Sequence, residues 1–483
     1  MPGRDQGVWL YVANTLLRGG VPYRDVWDHK APLIYFVYAS GLILGRGSLW
    51  GVWFLEWLSL SAAVYLSFLV ARNAFGKLPA QFATVAWVAG LAVVLDGGGS
   101  TEEFVLPWQF LGLALYQRIM KEQGGAYGAA LLLGLCGSIA LLFKENAAGL
   151  WVAIAASLAL SCASRKNWAR LAKTFISMGL GSVPVPVLTV LYFYRTHALN
   201  AMWDQAVRFN LVYSHSDLIT RLHSIYFNLL VLAPLTFLTW GGWLVGAYLY
   251  VFRRRFLPEE AGLLLIVALI ALPLETVLAS LSGRIYPHYY IVPLPSWSVL
   301  IAFAAWYLLQ CPLSSRQLLI AIGVIACFWA IDTTRKNCRI FEDTDRTSVL
   351  NYVTQHTAPG DYVLMWGAET EINFLAERQA PTKYAYQYPF YMGNYPRTAQ
   401  VTEFVRDLES HPPTLIIDTG EIGPIEPGFG KSSNEDKQLR LRAAISMSPV
   451  LDYVHAHYER VAILGSARWI VYRRRGSVDQ ERP

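Results

Sequence analysis

Long apolar runs separated by short polar connections constrain this chain more than any other feature of its sequence. A helix that crosses the hydrocarbon core of a bilayer needs about 17–25 mostly apolar residues. Hydrophobic residues make up 54% of the chain and charged residues 15%, a balance too apolar for a set of soluble domains. The sequence therefore predicts a polytopic α-helical membrane protein. About ten spans are predicted, near residues 50–71, 79–95, 104–120, 126–143, 147–163, 174–194, 226–251, 260–281, 288–309 and 316–332.

The positions of Lys and Arg between the spans predict the orientation. The apolar stretch 32–46 is short and contains Gly41 and Gly45, so we interpret it as a juxtamembrane helix. The basic connections then all fall on one side, which the positive-inside rule makes cytoplasmic. Residues 1–47 and everything after Asp332 lie on the external side, and a further span is expected before Pro2. The basic connections hold Arg72 and Lys77, Arg118 and Lys121, Arg165 to Lys173, Arg253 to Arg255, and Arg316.

The composition divides the chain into three parts. Residues 1–47 form an external loop with its juxtamembrane helix, residues 48–332 form the membrane domain, and residues 333–483 have a soluble composition. The third part is expected to be an external α/β domain, because it mixes β-rich segments with helical periodicity. Its predicted strands are 361–367, 413–419, 458–464 and 468–472, and its predicted helices are 398–408 and 438–447.

A dense charged and aromatic segment, Tyr23–Phe36, stands directly before the first predicted span. Such side chains are costly to hold at a bilayer surface unless they meet a polar ligand or a water-filled cavity. Other strongly polar residues fall towards the external ends of the spans, not at their middle. We therefore expect one cavity that opens to the external side. The candidate site residues are Asp5, Arg24, Asp25, Asp28, Lys30, Glu56, Glu102, Glu103, Lys144, Glu145, Glu275, Arg284 and His288.

Several of these residues also have a purely structural interpretation. Asp25 and Asp28 could brace the juxtamembrane helix by pairing with Arg24 or Lys30, and this is as well supported as a direct role. One carboxylate of the Glu102–Glu103 pair could cap the helix that follows it, because a helix N-terminus favours anions.

The remaining polar residues divide in the same way. His288 lies beside two tyrosines and fits an interfacial aromatic belt slightly better than a substrate contact. Lys144 could snorkel to the external headgroups. Glu56 has the weaker structural interpretation, because a lone carboxylate in a span needs a partner or water. Residues 195–225 are typical of an interfacial amphipathic helix.

Five motifs, taken in order, resemble those of GT-C glycosyltransferases. They are most similar to dolichyl-phosphate-mannose-protein mannosyltransferase-like and aminoarabinose-transferase-like bacterial membrane proteins. Asp5 matches the acidic residue of the family's first external loop, although the span that precedes it in the family is missing and Gln6 stands where many relatives have a second acid. The motifs are Pro2–Gly7, Gly20–Asp25, Asp28–Tyr35 with its Lys-x-Pro-x-x-Tyr element, Ser100–Phe104 and Arg284–Tyr290.

The resemblance implies transfer of a sugar from a polyprenyl-phosphate donor, with inversion at the anomeric carbon. Such a transfer needs a base for the acceptor hydroxyl and cations for the departing phosphate. Asp5 is then the candidate base, and Glu102 or Glu103 supports the acceptor or a bound ion. Carboxylates suit Mg²⁺ or Mn²⁺, but no spacing here requires a metal. The candidate substrate-binding residues are Lys30, Arg284 and His288 for the phosphate, with Arg24, Asp25, Asp28 and Glu56.

The leading hypothesis is therefore an integral membrane glycosyltransferase acting at the external face of a prokaryotic plasma membrane. A transporter or flippase for lipid-linked glycans is the alternative, and it predicts inverted repeats and polar residues at the midplane. A scaffold that binds other envelope enzymes through residues 333–483 is a third class. The net charge of +6 requires no nucleic-acid partner, because the basic residues sit in short loops beside spans. The sugar, the lipid carrier, the acceptor and the oligomeric state stay open.

Overall fold

The fold is described by a computed structural model. It covers residues 2–476 except 96, 123–125, 312, 341–343, 392–394, 396–397, 421–424 and 426–446. Helices dominate the membrane domain, and a mixed sheet lies in the carboxy-terminal part.

Two helices precede the first long apolar helix. Helix α1 (Arg4–Leu17) packs on α2 (Leu33–Leu44), and α2 packs on the start of α3 (Trp50–Phe75). A helix the length of α2 rises about 18 Å, well short of the roughly 30 Å hydrocarbon core. Its glycines allow close contact with α3, since a Cβ on Gly51 would lie 1.9 Å from the carbonyl oxygen of Gly41.

Six apolar helical stretches are long enough to cross a membrane by length and composition. Two further predicted spans correspond to shorter apolar helices, α6 and α15. The chain is a multi-pass helical membrane protein, and the number ten stays a prediction. The helices of this region are α3, α4 (Lys77–Val94), α5 (Thr101–Lys121), α6 (Tyr127–Phe143), α7 (Ala148–Ser164), α8 (Trp168–Ser182), α9 (Pro184–Arg195), α10 (Leu199–Met202), α11 (Asn210–Tyr213), α12 (Leu218–Val231), α13 (Ala233–Phe252), α14 (Glu259–Ser280), α15 (Leu294–Leu309) and α16 (Leu313–Ile340).

Prolines account for three boundaries that the sequence placed differently. The predicted span 174–194 is divided between α8 and α9 at Val183. The predicted span 226–251 begins inside α12, and the predicted span 288–309 begins in a short 3₁₀ turn before α15. Proline lacks a backbone N–H and is favoured in the first turn of a new helix. The prolines at these junctions are Pro184, Pro234 and Pro295.

The segment predicted as one amphipathic helix, 195–225, is broken into short pieces. Helices α10 and α11 flank a π-helical segment at Trp203–Phe209, and α12 starts at Leu218. Segments of this kind are frequent at functional sites. Here Gln205 in the π-helical segment accepts from the backbone N–H of Asp28 and donates to the carbonyl of Tyr23, so the segment contacts the external loop.

A four-stranded sheet forms the centre of the carboxy-terminal part, with strand order β1-β2-β4-β3. The β1 and β2 strands are parallel, while β4 is antiparallel to both of its neighbours. All four segments predicted as strands are strands, and the helix predicted at 398–408 is present. The predicted helix 438–447 lies outside the described residues except for Met447. The elements are α17 (Thr344–His356), β1 (Val363–Trp366), α18 (Thr370–Leu375), α19 (Thr398–Ser410), β2 (Leu415–Asp418), α20 (Ser448–His457), β3 (Tyr458–Leu464) and β4 (Trp469–Arg474).

Helices cover both faces of this sheet. Val363 and Met365 of β1 pack with residues of α17 and α18, while Leu364 and Trp366 pack with residues of α19 and α20. Side chains alternate between the two faces of a strand, so both faces of β1 are buried.

The carboxy-terminal part contacts the external loop directly. The backbone N–H of Trp27 donates to the carbonyl of Lys383 at 2.8 Å, and the N–H of Ala380 donates to the Tyr11 hydroxyl at 2.8 Å. Aromatic side chains from both regions share one hydrophobic cluster. The segment that holds Lys30 is therefore packed between the membrane domain and the carboxy-terminal part.

Candidate functional site

A cavity of about 340 Å³ lies where the external loop, the turn between α6 and α7, the end of α14 and the residues around α11 meet. Lys30 and Lys144 line it together with Tyr213 and Tyr289. One wall is apolar, with side chains from Phe143, Val207, Leu211, Leu278 and Leu281. The cavity thus combines two largely buried lysine ammonium groups with an apolar surface.

Asp5 and Lys30 form the first charged pair of this site. Lys30 Nζ lies 3.5 Å from Asp5 Oδ2, and the Lys30 side chain is 13% exposed while that of Asp5 is 58% exposed. Asp5 occupies the first turn of α1, where the helix dipole favours a carboxylate. The backbone of Lys30 is held by the Tyr23 hydroxyl, which donates to its carbonyl at 2.6 Å. The sequence predicted that both residues rim one cavity, but it did not predict this pair.

The charges around this pair shift both pKa values. Partial desolvation by the surrounding chain acts to raise the pKa of the partly exposed Asp5, but the charges of Lys30, His288 and His29 together lower it below its ordinary value. Burial acts to lower the pKa of Lys30, whereas Asp5, Tyr289 and Glu102 raise it well above its ordinary value. Asp5 is therefore a carboxylate and Lys30 an ammonium at neutral pH.

Glu102 and Lys144 form the second charged pair. Lys144 Nζ lies 2.9 Å from Glu102 Oε1, and the two side chains are 7% and 2% exposed. The Thr101 hydroxyl donates to the other carboxylate oxygen, Oε2, at 2.8 Å. The ammonium of Lys144 also lies 4.8 Å from the centre of the Tyr289 ring, a cation–π contact.

His288 and Arg284 lie on the same side of the molecule as these pairs. Burial lowers the pKa of His288, and the carboxylates of Glu102 and Asp5 only partly offset that effect, so the imidazole is neutral at pH 7. Arg284 is exposed and interacts electrostatically with Tyr213 and other tyrosines near the cavity. These two residues of the Arg284–Tyr290 motif therefore lie near the charged pairs.

Asp28 links two regions of the chain through hydrogen bonds and thus has a structural role. Its carboxylate is buried and accepts from the hydroxyls of Tyr35 and Tyr386 at 2.8 and 2.7 Å and from the backbone N–H of His29 at 2.7 Å. Tyr386 belongs to the carboxy-terminal part, so Asp28 joins the two regions beside Lys30. Burial acts to raise the pKa of Asp28, but hydrogen bonds from His29, Tyr386 and Tyr35 lower it below its ordinary value.

Arg24 and Asp25 pair with each other. Their charged groups approach to 2.8 Å at partly exposed positions, and Asp25 also accepts from the backbone N–H of Val21. Arg24 donates to the carbonyl of Thr196 at 2.8 Å. Neither residue lines the cavity, so the structural interpretation fits them better.

Glu56 and Glu103 lie in a second acidic cluster. The backbone N–H of Gly99 donates to Glu56 Oε1 at 2.9 Å, and the backbone N–H of Ser100 donates to Glu103 Oε1 at 2.7 Å. The two carboxyl groups lie close enough to interact electrostatically. This cluster caps α5 and holds the turn before it.

Glu275 is buried inside the helix bundle. A Cβ added to Gly149 of α7 would lie 2.6 Å from Glu275 Cγ, so α14 and α7 pack closely at this carboxyl group. The cavity is lined instead by Leu278 and Ala279, one turn further along α14.

Lys144 is the residue whose place in the site the sequence reasoning underrated. Its signal was a Lys-Glu-Asn triplet interrupting two apolar helices, which fits a headgroup contact as well as a cavity. Asn210 and Tyr213 also line the cavity and carried no clear signal, because they lie in the irregular segment after α9.

A bound divalent cation stays a prediction. Among the described residues, no group of three His, Cys, Asp or Glu side chains is placed to hold a metal ion. Asp5 and Glu102 are each paired with a lysine, and Glu145, which follows Lys144, also lines the cavity.

Comparison with solved structures shows the fold. ArnT of Cupriavidus metallidurans bound to undecaprenyl phosphate has a TM-score of 0.61 at 13% identity, covering 100% of this chain and 95% of ArnT. The apo state of the same protein has a TM-score of 0.60 at 13% identity, covering 98% of this chain and 93% of ArnT. The oligosaccharyltransferase of Archaeoglobus fulgidus gives 0.51 at 14% identity, covering 97% of this chain and 69% of that one. Both proteins are GT-C glycosyltransferases, so the chain has the GT-C fold that its motifs predicted.

None of the curated protein sequences matches this chain. A family model does: the one described as "Putative competence-induced protein Ccs4 N-terminal domain" matches residues 4–316. That range includes α1 with Asp5, both lysines of the cavity and α14. Because the match extends over more than half of the chain, the protein belongs to this Ccs4 family.

Proposed function

We propose that the protein transfers a sugar from a polyprenyl-phosphate donor to an acceptor at the external face of the membrane. The observation that carries the proposal is the Asp5–Lys30 pair beside a cavity with a second lysine and an apolar wall. A GT-C fold supports it, and so does the undecaprenyl phosphate bound to ArnT, because that ligand joins an anionic headgroup to a long apolar chain.

Asp5 is the proposed general base. Its carboxylate takes the proton of the acceptor hydroxyl while the hydroxyl oxygen attacks the anomeric carbon. The side chain is reachable, being 58% exposed, and the lowered pKa keeps it ionised at neutral pH. A single base and a single displacement give inversion. Asp5 and Glu102 each have a lysine partner in the described site.

Lys30 is the proposed cation for the leaving group. The bond between the anomeric carbon and the phosphate oxygen breaks, and the electron pair leaves with the polyprenyl phosphate. An ammonium within hydrogen-bonding distance stabilises that charge, and the Lys30 side chain is only 13% exposed. Arg284 can attract the headgroup from its exposed position. Neutral His288 can donate one hydrogen bond to it.

The apolar wall gives the prenyl chain a place. Val207, Leu211, Leu278 and Leu281 lie on the same cavity as the lysines, so phosphate and first isoprene units can bind together. Apolar surface buried against these side chains contributes about 25 cal/mol per Å².

Deletion of the gene followed by mass spectrometry of lipid-linked sugars and envelope glycans tests this function. The expected result is accumulation of one polyprenyl-phosphate sugar and loss of the same sugar from one envelope component. Complementation with the wild-type gene restores both, and Asp5→Asn does not. Unchanged lipid-linked sugars and glycans in the deletion strain would remove the proposal.

Purified protein in detergent separates transfer from flipping. A transferase moves the sugar in micelles, where there are no two leaflets, whereas a flippase has no measurable product there. Activity confined to sealed vesicles would favour the transporter.

A further inference from the structure

Each lysine of the cavity is neutralised by one carboxylate. Lys30 has Asp5 at 3.5 Å, and Lys144 has Glu102 at 2.9 Å. The first pair is used by the proposed transfer. The second pair is the more buried of the two, yet the proposed transfer gives Lys144 no part.

The Lys144–Glu102 ion pair is close, but in the described structure only one oxygen of the Glu102 carboxylate accepts a hydrogen bond from another residue. Among the residues that the structure describes, no hydrogen bond reaches Glu102 Oε1, although Lys144 Nζ lies 2.9 Å away. The two groups form an ion pair at hydrogen-bonding distance. Glu102 is held instead through Oε2, by the Thr101 hydroxyl.

Lys144 also keeps donor capacity towards the cavity. An ammonium carries three N–H donors. Glu102 lies in one direction and the face of Tyr289 in another, while the side chain itself forms part of the cavity lining. An anion entering the cavity would therefore meet a cation that is already desolvated.

A phosphate is a better partner for that cation than the resident carboxylate. A phosphate monoester carries up to two negative charges and three acceptor oxygens, and charge-assisted bonds to it are the strong ones. Separating a buried pair leaves its carboxylate without a cation, which is costly, so the phosphate must offset that cost with charge-assisted bonds stronger than the contact it replaces. Glu102 keeps Thr101 and has His288 nearby when Lys144 turns away.

We propose that Lys144 is a second phosphate ligand of the cavity, opposite Lys30, and that Glu102 is its resident counter-ion, which the phosphate of a polyprenyl monophosphate displaces. The chemical class of the ligand rests on the proposed function. The exchange itself rests on the geometry of the pair. Glu102 then weakens ligand binding while it balances the charge of Lys144 in the empty cavity.

Binding of undecaprenyl phosphate to the purified full-length protein in detergent tests this exchange. Lys144→Gln should weaken binding by roughly tenfold, as expected for loss of a charge-assisted hydrogen bond. Glu102→Gln should tighten binding several-fold, because it removes the competitor and leaves the lysine. The double variant should lose that gain. Thermal melts check that each variant is folded.

Glu103→Gln is the matched control. It removes a buried carboxylate from the adjacent position of the same helix, but Glu103 contacts Glu56 and Ser100 and no lysine in the described structure. Its binding should equal that of the wild type. Inorganic phosphate should show the same order of variants at lower affinity, and undecaprenol, which lacks the phosphate, should show no dependence on Lys144.

The outcomes separate this inference from the function on which it rests. Wild-type protein that binds no undecaprenyl phosphate would overturn both. Wild-type binding with an unchanged Lys144→Gln, or with a Glu102→Gln that binds more weakly, would overturn the exchange alone. If Glu102→Gln does not fold, the comparison of Lys144→Gln with Glu103→Gln still tests the proposal. Equal affinities of these two variants for undecaprenyl phosphate would contradict Lys144 as a phosphate ligand.

Discussion

Glu102 and Glu103 are neighbours in the sequence and have opposite surroundings. Successive residues on a helix point roughly 100° apart. Glu102 faces Lys144 and Thr101 beside the cavity, whereas Glu103 faces Glu56 and the backbone of Ser100 on the α3 side. The difference shows that two adjacent acidic residues in the first turn of a helix can have different surroundings, one beside a cavity and one at the helix cap.

The two acidic clusters also have different partners, which are lysine side chains in one cluster and backbone groups in the other. The cavity cluster pairs each carboxylate with a lysine and leaves open space beside it. The other cluster holds backbone: Glu56 accepts from Gly99, Tyr38 donates to the Gly99 carbonyl at 2.6 Å, and Gln6 donates to the carbonyl of Gly98. Gly98 and Gly99 have φ of 78° and 70°, a region that favours glycine. Because Gln6 follows Asp5, this structural cluster also fixes the helix that carries the proposed base.

The largest expected effect is the loss of transfer in Asp5→Asn. Removing a general base typically costs about 10²–10⁴ in rate, and asparagine keeps the size of the side chain. Rates of sugar transfer by purified protein measure it. Asp25→Asn is the matched control, because Asp25 pairs with Arg24 away from the cavity, and it should stay within about twofold. Equal losses in both variants would contradict the difference drawn between these two aspartates.

Lys30→Gln should reduce transfer by roughly 10²–10³, the usual cost of removing one donor to a developing charge. It should also change the pH profile. In the wild type, the transfer rate should fall on the acid side only below the ordinary aspartate pKa, because Lys30 lowers the pKa of Asp5. Removing the cation should move this acid limb of the profile to higher pH. Lys383→Gln removes a lysine that pairs with Glu403 outside the cavity and should leave both the rate and the limb unchanged.

Asp28→Ala should reduce stability rather than chemistry, by about 2–4 kcal/mol, because the hydroxyls of Tyr35 and Tyr386 lose their acceptor. Thermal unfolding at pH 7 and limited proteolysis of the carboxy-terminal part measure it. The lowered pKa of Asp28 means that its contribution is complete above the unfolded pKa near 4 and is lost as the pH falls through the lower folded value. The wild type and the variant should therefore converge at acid pH.

Glu103→Ala should cost about 1 kcal/mol, the usual value of a helix cap, with little effect on transfer. Glu103→Gln should lower the free energy of unfolding by less than Glu103→Ala does. The amide oxygen can still accept from Ser100, and Glu56 no longer faces a second carboxyl group. Thermal unfolding of the two variants provides the comparison. A loss of transfer in folded Glu103→Gln would place this residue with Glu102 in the site.

The sequence predicts elements whose pattern is local. All four strands and most apolar helices follow from hydrophobic periodicity, whereas the pairing of Asp5 with Lys30 was not predicted. The boundaries at Val183 and Leu232 were not expected, because a continuous apolar run conceals the proline that starts a new helix.

The parts of the site that the sequence leaves undecided depend on rotation and distant packing. Nothing local says which of Glu102 and Glu103 faces Lys144, because both rotations satisfy the same periodicity. Tyr386 reaches Asp28 from 358 positions along the chain, so only the folded carboxy-terminal part identifies Asp28 as a brace.

A cryo-electron microscopy structure of the full-length protein with undecaprenyl phosphate tests the central claim most directly. The account predicts that the phosphate lies in the cavity, with oxygens about 3 Å from Lys30 Nζ and the prenyl chain along Leu211 and Leu278. Asp5 should face the open space beside it. A phosphate bound elsewhere, with the Asp5–Lys30 pair intact and the cavity empty, would contradict the account.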